Sequence, residues 1–581
     1  MSVAGPAQTQ LITIDIASCF PHASLRPFQA DVIRQLEQAL NENKKFIILE
    51  APVGFGKSAV AIALAKHMES AYILTSTKQL QDQYSTSYNV PMTIGKSNFT
   101  CKVKTRLGTY PPCSQGRCEA DWKLIECPHY LPMKQYDDRA KRLEKNPNSL
   151  ERFKRKLCPY YVNKFDAFRA PVMVANYPFF LAEARYTTDL KKRKLIICDE
   201  AHDLERQLVT SAAFTFRRST LHAFTEVAGN AVRKRDVMVQ DMGQENPAAW
   251  APQIEKAVAT LDAYLDTHLK DGLFQERIIS CRNALESMKG FLDDLKKRPH
   301  NWVVNSIKSS IDAVGGTSVD EVIFQSLDVS PYAGVIFNKG ETVLLMSATI
   351  FSKELFCKSL GIPEDQTTFI SVKESSFPVE NRKIHALNTA HLSKETMEAS
   401  LASIAKEVDT IMNRHTNERG IIHTTTYTQA RYIMDHVSPA NRARLMTTEK
   451  AGSVASLIRT HSMKPNSVLL SPSLNQGVDL KDDLARFAII CKVPYADLSE
   501  RRTRVKLKRD PNWYAWQTAL RIVQTYGRTV RSPEDHSITY ILDANFSRLI
   551  EKHPEMFPAY FKEAIQQEPL VEDANRVPNT P

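Results

Sequence analysis

The sequence predicts an α/β protein that holds two doubly wound parallel sheets. Short apolar runs alternate with stretches of helical pattern, and these runs fall into two series along the 581-residue chain. Such runs are typical of parallel strands that are buried on both faces. The first series comprises residues 46–50, 71–74, 172–175, 195–198 and 343–346. The second series comprises residues 420–423, 467–470, 487–490 and 538–542. Two such series indicate two α/β domains.

Two stretches between these runs fit neither sheet. Residues 101–165 contain a cluster of cysteines, and residues 205–330 show mostly helical spacing of apolar residues, as at Ile254, Val258 and Leu261. Strand-like runs resume after each stretch, which indicates that both are insertions into the first α/β domain. The tail from Gln566 onward is polar, and we expect it to be disordered.

Length and composition indicate a soluble protein of several domains. A chain of 581 residues is too long for one core, and 43% apolar with 24% charged residues is ordinary for a globular protein. No apolar run approaches the roughly 18 residues that cross a bilayer, and the N-terminus lacks the pattern of a secretory signal. We therefore expect a protein of the cytoplasm or nucleoid with no membrane partner.

A basic segment predicts contact with a phosphate polymer. The chain carries a formal charge of +11, and residues 101–194 alone hold 21 Lys and Arg against 10 Asp and Glu. Such a segment attracts nucleic acid and releases counterions on binding. A solvated surface is the alternative, but interleaved aromatic residues favour nucleic acid: Tyr110, Trp122, Tyr130, Tyr136, Phe153, Tyr160, Tyr161 and Phe165.

Residues 51–58 predict a loop that cradles phosphate groups. They follow the run 46–50 and precede an alanine- and leucine-rich helical stretch, which is the context that such a loop needs. Gly54 and Gly56 let backbone N–H groups turn inward, Lys57 reaches the β and γ phosphates, and Ser58 offers a hydroxyl to Mg²⁺. We expect ATP to bind along Ala51, Pro52, Val53, Gly54, Phe55, Gly56, Lys57 and Ser58, although Ala51 stands where the usual pattern has glycine.

An acidic pair supplies the second half of an ATP-hydrolysing site. Asp199 and Glu200 close the run 195–198, at the strand end where α/β proteins bind ligands. One carboxylate, Asp199, can hold Mg²⁺ together with Ser58, while Glu200 orients the attacking water. His202 completes an Asp-Glu-Ala-His tetrad.

Two arginines near the end of the second series predict that the second α/β domain contributes to the ATP-hydrolysing site. Hydrolysis concentrates negative charge on the transferred phosphoryl group, and guanidinium groups offset it. Arg528 and Arg531 are three residues apart, so on a helix they would share a face. We expect them to meet the nucleotide when the two domains close.

These motifs resemble superfamily 2 helicases, and among them the XPD/DinG family of iron–sulfur helicases. The resemblance makes Arg26 and Gln29 of residues 26–29 adenine-recognising and residues 75–80 the first DNA-contacting motif. It matches Ser347-Ala348-Thr349 to the motif that couples hydrolysis to domain movement, and residues 377–382 to the entry of the second motor domain. It matches residues 473–480, with Gly477 and Asp479 at the nucleotide, to the fifth motif, and residues 524–531 to the sixth.

The resemblance also implies an architecture of two RecA-like motor domains. The first motor domain comprises residues 1–100, 166–204 and 331–376, and the second comprises residues 377–565. Residues 101–165 form an iron–sulfur insertion, residues 205–330 form a helical arch, and residues 566–581 form the tail. The implied catalytic residues are Lys57, Asp199, Glu200, His202, Gln524, Arg528 and Arg531.

Five of the ten cysteines lie between Cys101 and Cys158. Four thiolates can hold an iron–sulfur cluster or a zinc ion, but zinc sites favour paired Cys-x-x-Cys knuckles, which this stretch lacks. The resemblance implies a [4Fe–4S] cluster on Cys101, Cys118, Cys127 and Cys158, with Cys113 as an alternative to Cys118.

The resemblance implies an ATP- and Mg²⁺-dependent 5′–3′ DNA helicase that acts on single strands and duplex forks. We expect a monomer that works with repair or replication proteins. An RNA helicase is one alternative, because the same tetrad occurs there. A protein that uses ATP only to switch its affinity for single strands is another.

Overall fold

The computed structural model describes residues 14–104, 108–115, 127–217, 219, 245–268, 275–311, 317–375, 377–393, 396–448, 454–472, 480 and 482–566. Within these ranges the strands form two parallel sheets and one smaller antiparallel sheet. No described helix is both long and apolar enough to cross a membrane.

The first sheet has six strands, and every neighbouring pair is parallel. Their order across the sheet is β3 (Val172–Asn176), β2 (Ala71–Thr75), β4 (Arg193–Asp199), β8 (Gly340–Ser347), β1 (Phe46–Glu50) and β9 (Thr367–Ser371). The five strands predicted for this sheet are confirmed. The prediction missed β9, an edge strand whose threonine and serine residues interrupt its apolar pattern.

The second sheet has seven strands, again all parallel. Their order is β12 (Leu445–Met446), β13 (Val468–Ser471), β11 (Gly420–His423), β14 (Phe487–Ile490), β15 (Ile538–Asp543), β10 (Ile384–Ala390) and β16 (Ile565–Gln566). The four predicted strands are confirmed. The prediction that the tail begins at Gln566 was wrong by one residue, because Gln566 pairs with His385 in β16; residues 567–581 lie outside the described ranges.

Helices surround the sheets and fill the segments between them. In chain order they are α1 (Gln29–Asn41), α2 (Lys57–Met68), α3 (Lys78–Tyr88), α4 (Met133–Leu143), α5 (Pro147–Lys156), α6 (Pro159–Arg169), α7 (Tyr177–Tyr186), α8 (Leu204–Ala212), α9 (Ala251–His268), α10 (Gln275–Lys297), α11 (Ser330–Phe337), α12 (Lys353–Leu360), α13 (Met397–Arg414), α14 (Tyr427–His436), α15 (Pro439–Arg442), α16 (Val454–Met463), α17 (Arg501–Arg509), α18 (Pro511–Tyr526), α19 (Asn545–Lys552) and α20 (Ala559–Lys562).

The segment 205–330 is less helical than predicted. Helices α9 and α10 pack on a three-stranded antiparallel sheet with the order β5 (Phe214–Arg217), β7 (Thr317–Ser326) and β6 (Trp302–Ile311). Along β7, Val322 and Phe324 are buried in the core with these helices, and Ile323 between them is partly exposed, as expected for a strand with one buried face. The arch prediction therefore recognised the helices and missed the hairpin.

The basic segment has a small core of its own. Tyr136 of α4, Phe165 of α6 and Ala140 are buried together, and Phe153 of α5 packs against them. Most of the aromatic residues that were expected to face nucleic acid are thus partly or fully buried in the protein. Tyr110 remains 54% exposed, and Trp122 lies outside the described residues.

Candidate active site

The phosphate loop connects β1 to α2, as predicted. Gly54 has φ +83° and Gly56 has φ +87°, a left-handed conformation that side chains other than glycine rarely adopt. A Cβ atom on Gly54 would lie 2.1 Å from the ring of Phe377, the first residue of the motif 377–382. The two glycines are therefore required both by the backbone turn and by a close approach.

Arg26 and Gln29 brace this loop from α1 and the turn before it. Arg26 Nη1 donates to the carbonyl of Gly54 at 2.6 Å, and Gln29 Nε2 donates to the carbonyl of Phe55 at 2.7 Å. Gln29 Oε1 in turn accepts from the backbone N–H of Arg26 at 2.8 Å. Both predicted residues are thus at the loop, and their role toward adenine stays a prediction.

Lys57 begins α2 with its side chain folded against the loop. Its Nζ donates to the carbonyls of Ala51 at 2.8 Å and Pro52 at 3.2 Å. Burial lowers the pKa of Lys57, and the nearby carboxylates of Glu200 and Asp199 oppose that shift. The predicted lysine and acidic pair therefore share one electrostatic environment.

The acidic pair lies where the first sheet ends. Asp199 is buried, and burial together with the neighbouring Glu200 raises the pKa of its carboxyl. Burial alone would raise the pKa of Glu200 as well, but its hydrogen bond with His202 and the charges of Lys57 and Arg531 lower it below the ordinary value. The pKa values of the two carboxyls therefore shift in opposite directions, and Glu200 is the carboxylate that stays ionised.

His202 joins the acidic tetrad to the motif Ser347-Ala348-Thr349. Its Nδ1 lies 3.2 Å from Glu200 Oε2 and 2.8 Å from Ser347 Oγ. Ser347 Oγ also accepts from the backbone N–H of Thr349 at 3.1 Å. Beyond this motif, Gln524 Nε2 of α18 donates to Thr349 Oγ1 at 3.0 Å. A chain of contacts thus runs from Glu200 to the second sheet's helix.

Arg528 and Arg531 line the same cleft as Glu200, His202 and Gln524. This cleft has a volume of about 330 Å³. It is lined by residues from the segments that form the first sheet and from those that form the second. The helical argument that placed the two arginines on one face was wrong, because α18 ends at Tyr526 and Gly527 starts a turn. The turn nevertheless directs both residues to the cleft, and Arg531 is near enough to Lys57 and Glu200 to bias their pKa values.

Glu50, the last residue of β1, is a site residue that the sequence analysis missed. Its Oε1 accepts from the backbone N–H groups of Ile350 at 2.8 Å and Phe351 at 2.7 Å, while Oε2 accepts from Ser371 Oγ at 3.1 Å. Burial raises the pKa of this carboxyl. An acidic residue at the end of an apolar run, directly before the loop, was the signal that could have revealed it.

The described cysteines of the segment 101–165 lie near one another but do not complete a metal site. Cys101, Cys113 and Cys158 share one apolar cluster with Tyr160. The backbone N–H of Cys158 donates to the carbonyl of His129 at 2.7 Å, which brings the turn that begins at Cys127 beside it. Within the described ranges, however, no three His, Cys, Asp or Glu side chains are grouped so that they could hold a metal ion. Cys118 lies outside those ranges, as do Gly477 and Asp479.

Two protein families match this chain. The family described as helicase C-terminal domain matches residues 410–564, and the family of the type III restriction enzyme res subunit matches residues 22–227. The first match covers most of the second sheet. The second match contains the phosphate loop and the acidic tetrad.

Two relatives match over nearly their whole length. A probable ATP-dependent helicase of Methanocaldococcus jannaschii is 21% identical over 618 residues, which cover 91% of this chain and 93% of the relative. The ATP-dependent DNA helicase XPD of Sulfolobus acidocaldarius is 20% identical over 560 residues, which cover 91% and 97%.

Solved structures share the fold. A structure of XPD helicase superposes with a TM-score of 0.60 at 16% identity and covers 92% of this chain and 98% of its own. A structure of Xpd4 from S. tokodaii gives a TM-score of 0.55 at 14% identity and covers 93% and 99%. The predicted fold class, α/β with two RecA-like domains, is confirmed.

Proposed function

On the premise that this chain is similar to XPD-like superfamily 2 helicases, we propose that it is an ATP-driven helicase that moves along single-stranded DNA. The observation that carries this proposal is the shared cleft of about 330 Å³. Glu200 and His202 of the acidic tetrad line this cleft together with Gln524, Arg528 and Arg531 of the second part of the chain. Such a cleft can convert ATP hydrolysis into movement of one half against the other.

The residues divide the chemistry of hydrolysis among themselves. The backbone N–H groups of residues 51–58 and the ammonium group of Lys57 hold the phosphates of ATP. Ser58 and Asp199 are the residues that would hold Mg²⁺, which supplies charge neutralisation at the phosphate oxygens. Glu200, whose pKa is lowered, accepts a hydrogen bond from the attacking water and orients it. Arg528 and Arg531 offset the charge that develops on the transferred phosphoryl group.

Coupling to movement follows from contacts that cross the cleft. Gln524 binds Thr349, and Trp516 Nε1 of the same helix donates to the carbonyl of Ile350 at 2.7 Å. Hydrolysis changes the charge beside Glu200. The contacts of His202 and Ser347 transmit this change to the turn after β8, which contains Thr349 and Ile350. The helix α18 then moves with it.

We further propose DNA as the substrate, with 5′–3′ movement and a role in repair or replication. The basic segment supports binding of a phosphate backbone, and the S. acidocaldarius relative is named as a DNA helicase. A DNA substrate also implies work inside the cell, in the cytoplasm or at the nucleoid. In this proposal residues 101–165 form a domain at the strand exit, and residues 205–330 form an arch over the strand.

The experiment measures two activities of the full chain, ATP hydrolysis and duplex unwinding. ATPase is measured with no nucleic acid, with single-stranded DNA and with RNA of the same sequence, and unwinding is measured on duplexes with a 5′ tail or a 3′ tail. The proposal expects stimulation by DNA and unwinding of the 5′-tailed duplex. Preferential stimulation by RNA would support an RNA helicase. Stimulation without unwinding of either duplex would support an ATP-switched binding protein.

A [4Fe–4S] cluster on Cys101, Cys118, Cys127 and Cys158 is the remaining part of the proposal. It is supported by the apolar cluster around Cys101 and Cys158 and by the resemblance of the sequence motifs to iron–sulfur helicases. Protein purified without oxygen should contain iron and sulfide and should absorb visible light. Cys158→Ser should lose the iron, the sulfide and the absorbance. Cys113→Ser and Cys118→Ser together identify the fourth ligand, because only one of them should lose iron. Iron-free protein from anaerobic purification would contradict the cluster.

A further inference from the structure

Tyr84 of α3 is a fully buried tyrosine whose hydroxyl reaches the acidic pair. Its Oη donates to Asp199 Oδ2 at 2.8 Å. The side chain of Ser58 lies close enough to this hydroxyl to influence the pKa of Tyr84. The phenol group thus binds one of the two side chains that the proposed function assigns to Mg²⁺ and lies beside the other.

The hydroxyl of Tyr84 is buried and does not contact solvent. The side chain of Tyr84 is 0% exposed and belongs to the apolar cluster that also contains Phe55 and Leu49 beside the phosphate loop. A buried hydroxyl without a partner is costly, so the bond to the carboxylate fixes both groups. Because Asp199 is equally buried, few other donors within the described residues reach its side chain: the backbone N–H of Glu200 donates to the other oxygen, Oδ1, at 2.9 Å.

A second tyrosine shows that this contact differs from ordinary packing. Tyr177 of α7 also approaches Asp199, but its hydroxyl donates to the backbone carbonyl at 2.9 Å. Tyr177 therefore braces the strand end, whereas Tyr84 holds the carboxylate itself. Of the two tyrosines, only Tyr84 contacts the carboxylate oxygens that the proposed function assigns to Mg²⁺.

We propose that Tyr84 is a positioning residue of the magnesium site, because its hydroxyl orients the carboxylate of Asp199. This inference rests on the proposed function, since that function assigns Asp199 and Ser58 to Mg²⁺. Groups that hydrogen-bond to metal ligands fix ligand orientation, and their loss typically costs about 10- to 100-fold in metal affinity. Tyr84 also belongs to the helix that starts at the motif 75–80, so it connects that motif directly to the site.

The test replaces the hydroxyl and leaves the ring in place. In Tyr84→Phe, the Mg²⁺ concentration that half-saturates ATPase should rise about tenfold, while the ATP concentration that half-saturates it at excess Mg²⁺ stays unchanged. A second measurement needs no turnover: at fixed ADP, Mg²⁺ raises the unfolding temperature, and the midpoint of that rise should move by the same factor.

Tyr72→Phe is the matched control. Tyr72 of β2 is also buried, and its hydroxyl donates to the carbonyl of Lys191 at 2.8 Å, remote from the acidic pair. Tyr72→Phe also loses one hydrogen bond of a buried tyrosine, and its two Mg²⁺ midpoints should equal those of the wild type. Equal shifts in both variants would assign the effect to stability and overturn the inference.

Tyr84→His is a second variant that lacks the contact. The imidazole side chain is shorter than that of tyrosine, so its N–H group does not reach Asp199 from this position, and the Mg²⁺ midpoints should rise about tenfold, as in Tyr84→Phe. If Tyr84→Phe does not fold, this variant decides: unchanged midpoints in a folded Tyr84→His contradict the inference. So do unchanged midpoints in folded Tyr84→Phe. A wild-type chain that hydrolyses no ATP would instead refute the proposed function, while the ADP titration would still test Tyr84.

Discussion

At the scale of single residues, Glu200 is the group on which hydrolysis depends. Its pKa is lowered by His202, Lys57 and Arg531 despite its partial burial, so the carboxylate is ionised and can orient water at neutral pH. Glu200→Gln removes that charge with almost no change of shape. ATPase should fall about 100- to 10,000-fold, while the affinity for a fluorescent ATP analogue stays within about threefold. Wild-type turnover in this variant would exclude Glu200 as the water-orienting residue.

Glu50 makes a different residue-scale prediction, which concerns stability. Its carboxylate accepts from the N–H groups of Ile350 and Phe351, and Phe351 has the left-handed φ of +63° that a phenylalanine rarely adopts. Glu50→Ala leaves two buried donors unpaired and should destabilise the fold by about 2–5 kcal/mol. Glu50→Gln keeps an acceptor oxygen and should cost much less. Denaturant unfolding of both variants measures the difference; equal losses would contradict this account.

The site residues were predictable to different degrees for a physical reason. Lys57, Ser58, Asp199 and Glu200 stand at fixed distances from strands, so a strand pattern is enough to find them. Tyr84 and Glu50 act through contacts with residues that are 115 and 300 positions away. Nothing local distinguishes a tyrosine that binds a carboxylate from one that only fills a core.

At the scale of elements, α18 carries the contacts between the two sheets. Asp510 caps its first turn by accepting from the N–H of Trp513 at 3.2 Å, and Pro511 follows at the first helical position. The helix then presents Trp516 and Gln524 to the turn after β8 and ends one residue before Gly527. Its sequence therefore predicts its start better than its end, and Arg528 and Arg531 were assigned to a helix that does not reach them.

Gln524→Ala tests this element. It removes the bond to Thr349 and leaves the phosphate loop and acidic pair untouched. Loss of one such hydrogen bond should lower nucleic-acid-stimulated ATPase about tenfold, while ATP affinity is unchanged. Gln83→Ala is the control, because Gln83 lines the same cleft from α3. Similar losses in both variants would show that the cleft surface matters and the contact with α18 does not.

At the scale of the whole molecule, the two sheets share one apolar core. The largest cluster of buried side chains contains Phe46 and Ile196 of the first sheet, Ile384 and Ile541 of the second sheet, and Trp516 of α18. The predicted likeness to superfamily 2 helicases is confirmed by the family matches and the relatives. This junction was not predicted, because packing between distant segments leaves no periodic signal in the sequence.

A buried ionic cluster reinforces that junction. Glu205 of α8, three residues after His202, accepts from Arg502 Nη2 at 2.7 Å, Lys506 Nζ at 2.6 Å and Trp513 Nε1 at 3.0 Å. Arg502 Nε also donates to the carbonyl of Ser326 at 2.8 Å, at the end of β7. Three parts of the chain therefore meet at one carboxylate: the helix after the tetrad, the antiparallel sheet and the helices α17 and α18.

Glu205→Gln should therefore destabilise the fold, and the loss should depend on pH. Burial alone would raise the pKa of Glu205, but Lys506 and Arg502 lower it to about 2, against an ordinary value of 4.5. A group with a lowered folded pKa stabilises the protein above its unfolded pKa, and this contribution is lost as pH falls from about 4.5 toward about 2. Removing one partner from such a buried cluster should cost about 3–5 kcal/mol at pH 7.

Unfolding by denaturant between pH 3 and pH 7 measures the difference between wild type and Glu205→Gln. That difference should be greatest at pH 7 and should shrink once the pH falls below 4.5, because the wild-type carboxylate then loses its advantage. Asp293→Asn is the control: Asp293 binds Lys297 at 2.7 Å with both side chains more than 60% exposed, so its loss should be small at every pH. A Glu205→Gln deficit that is constant across this range would assign the effect to packing, and the ionic cluster would not be what holds the junction.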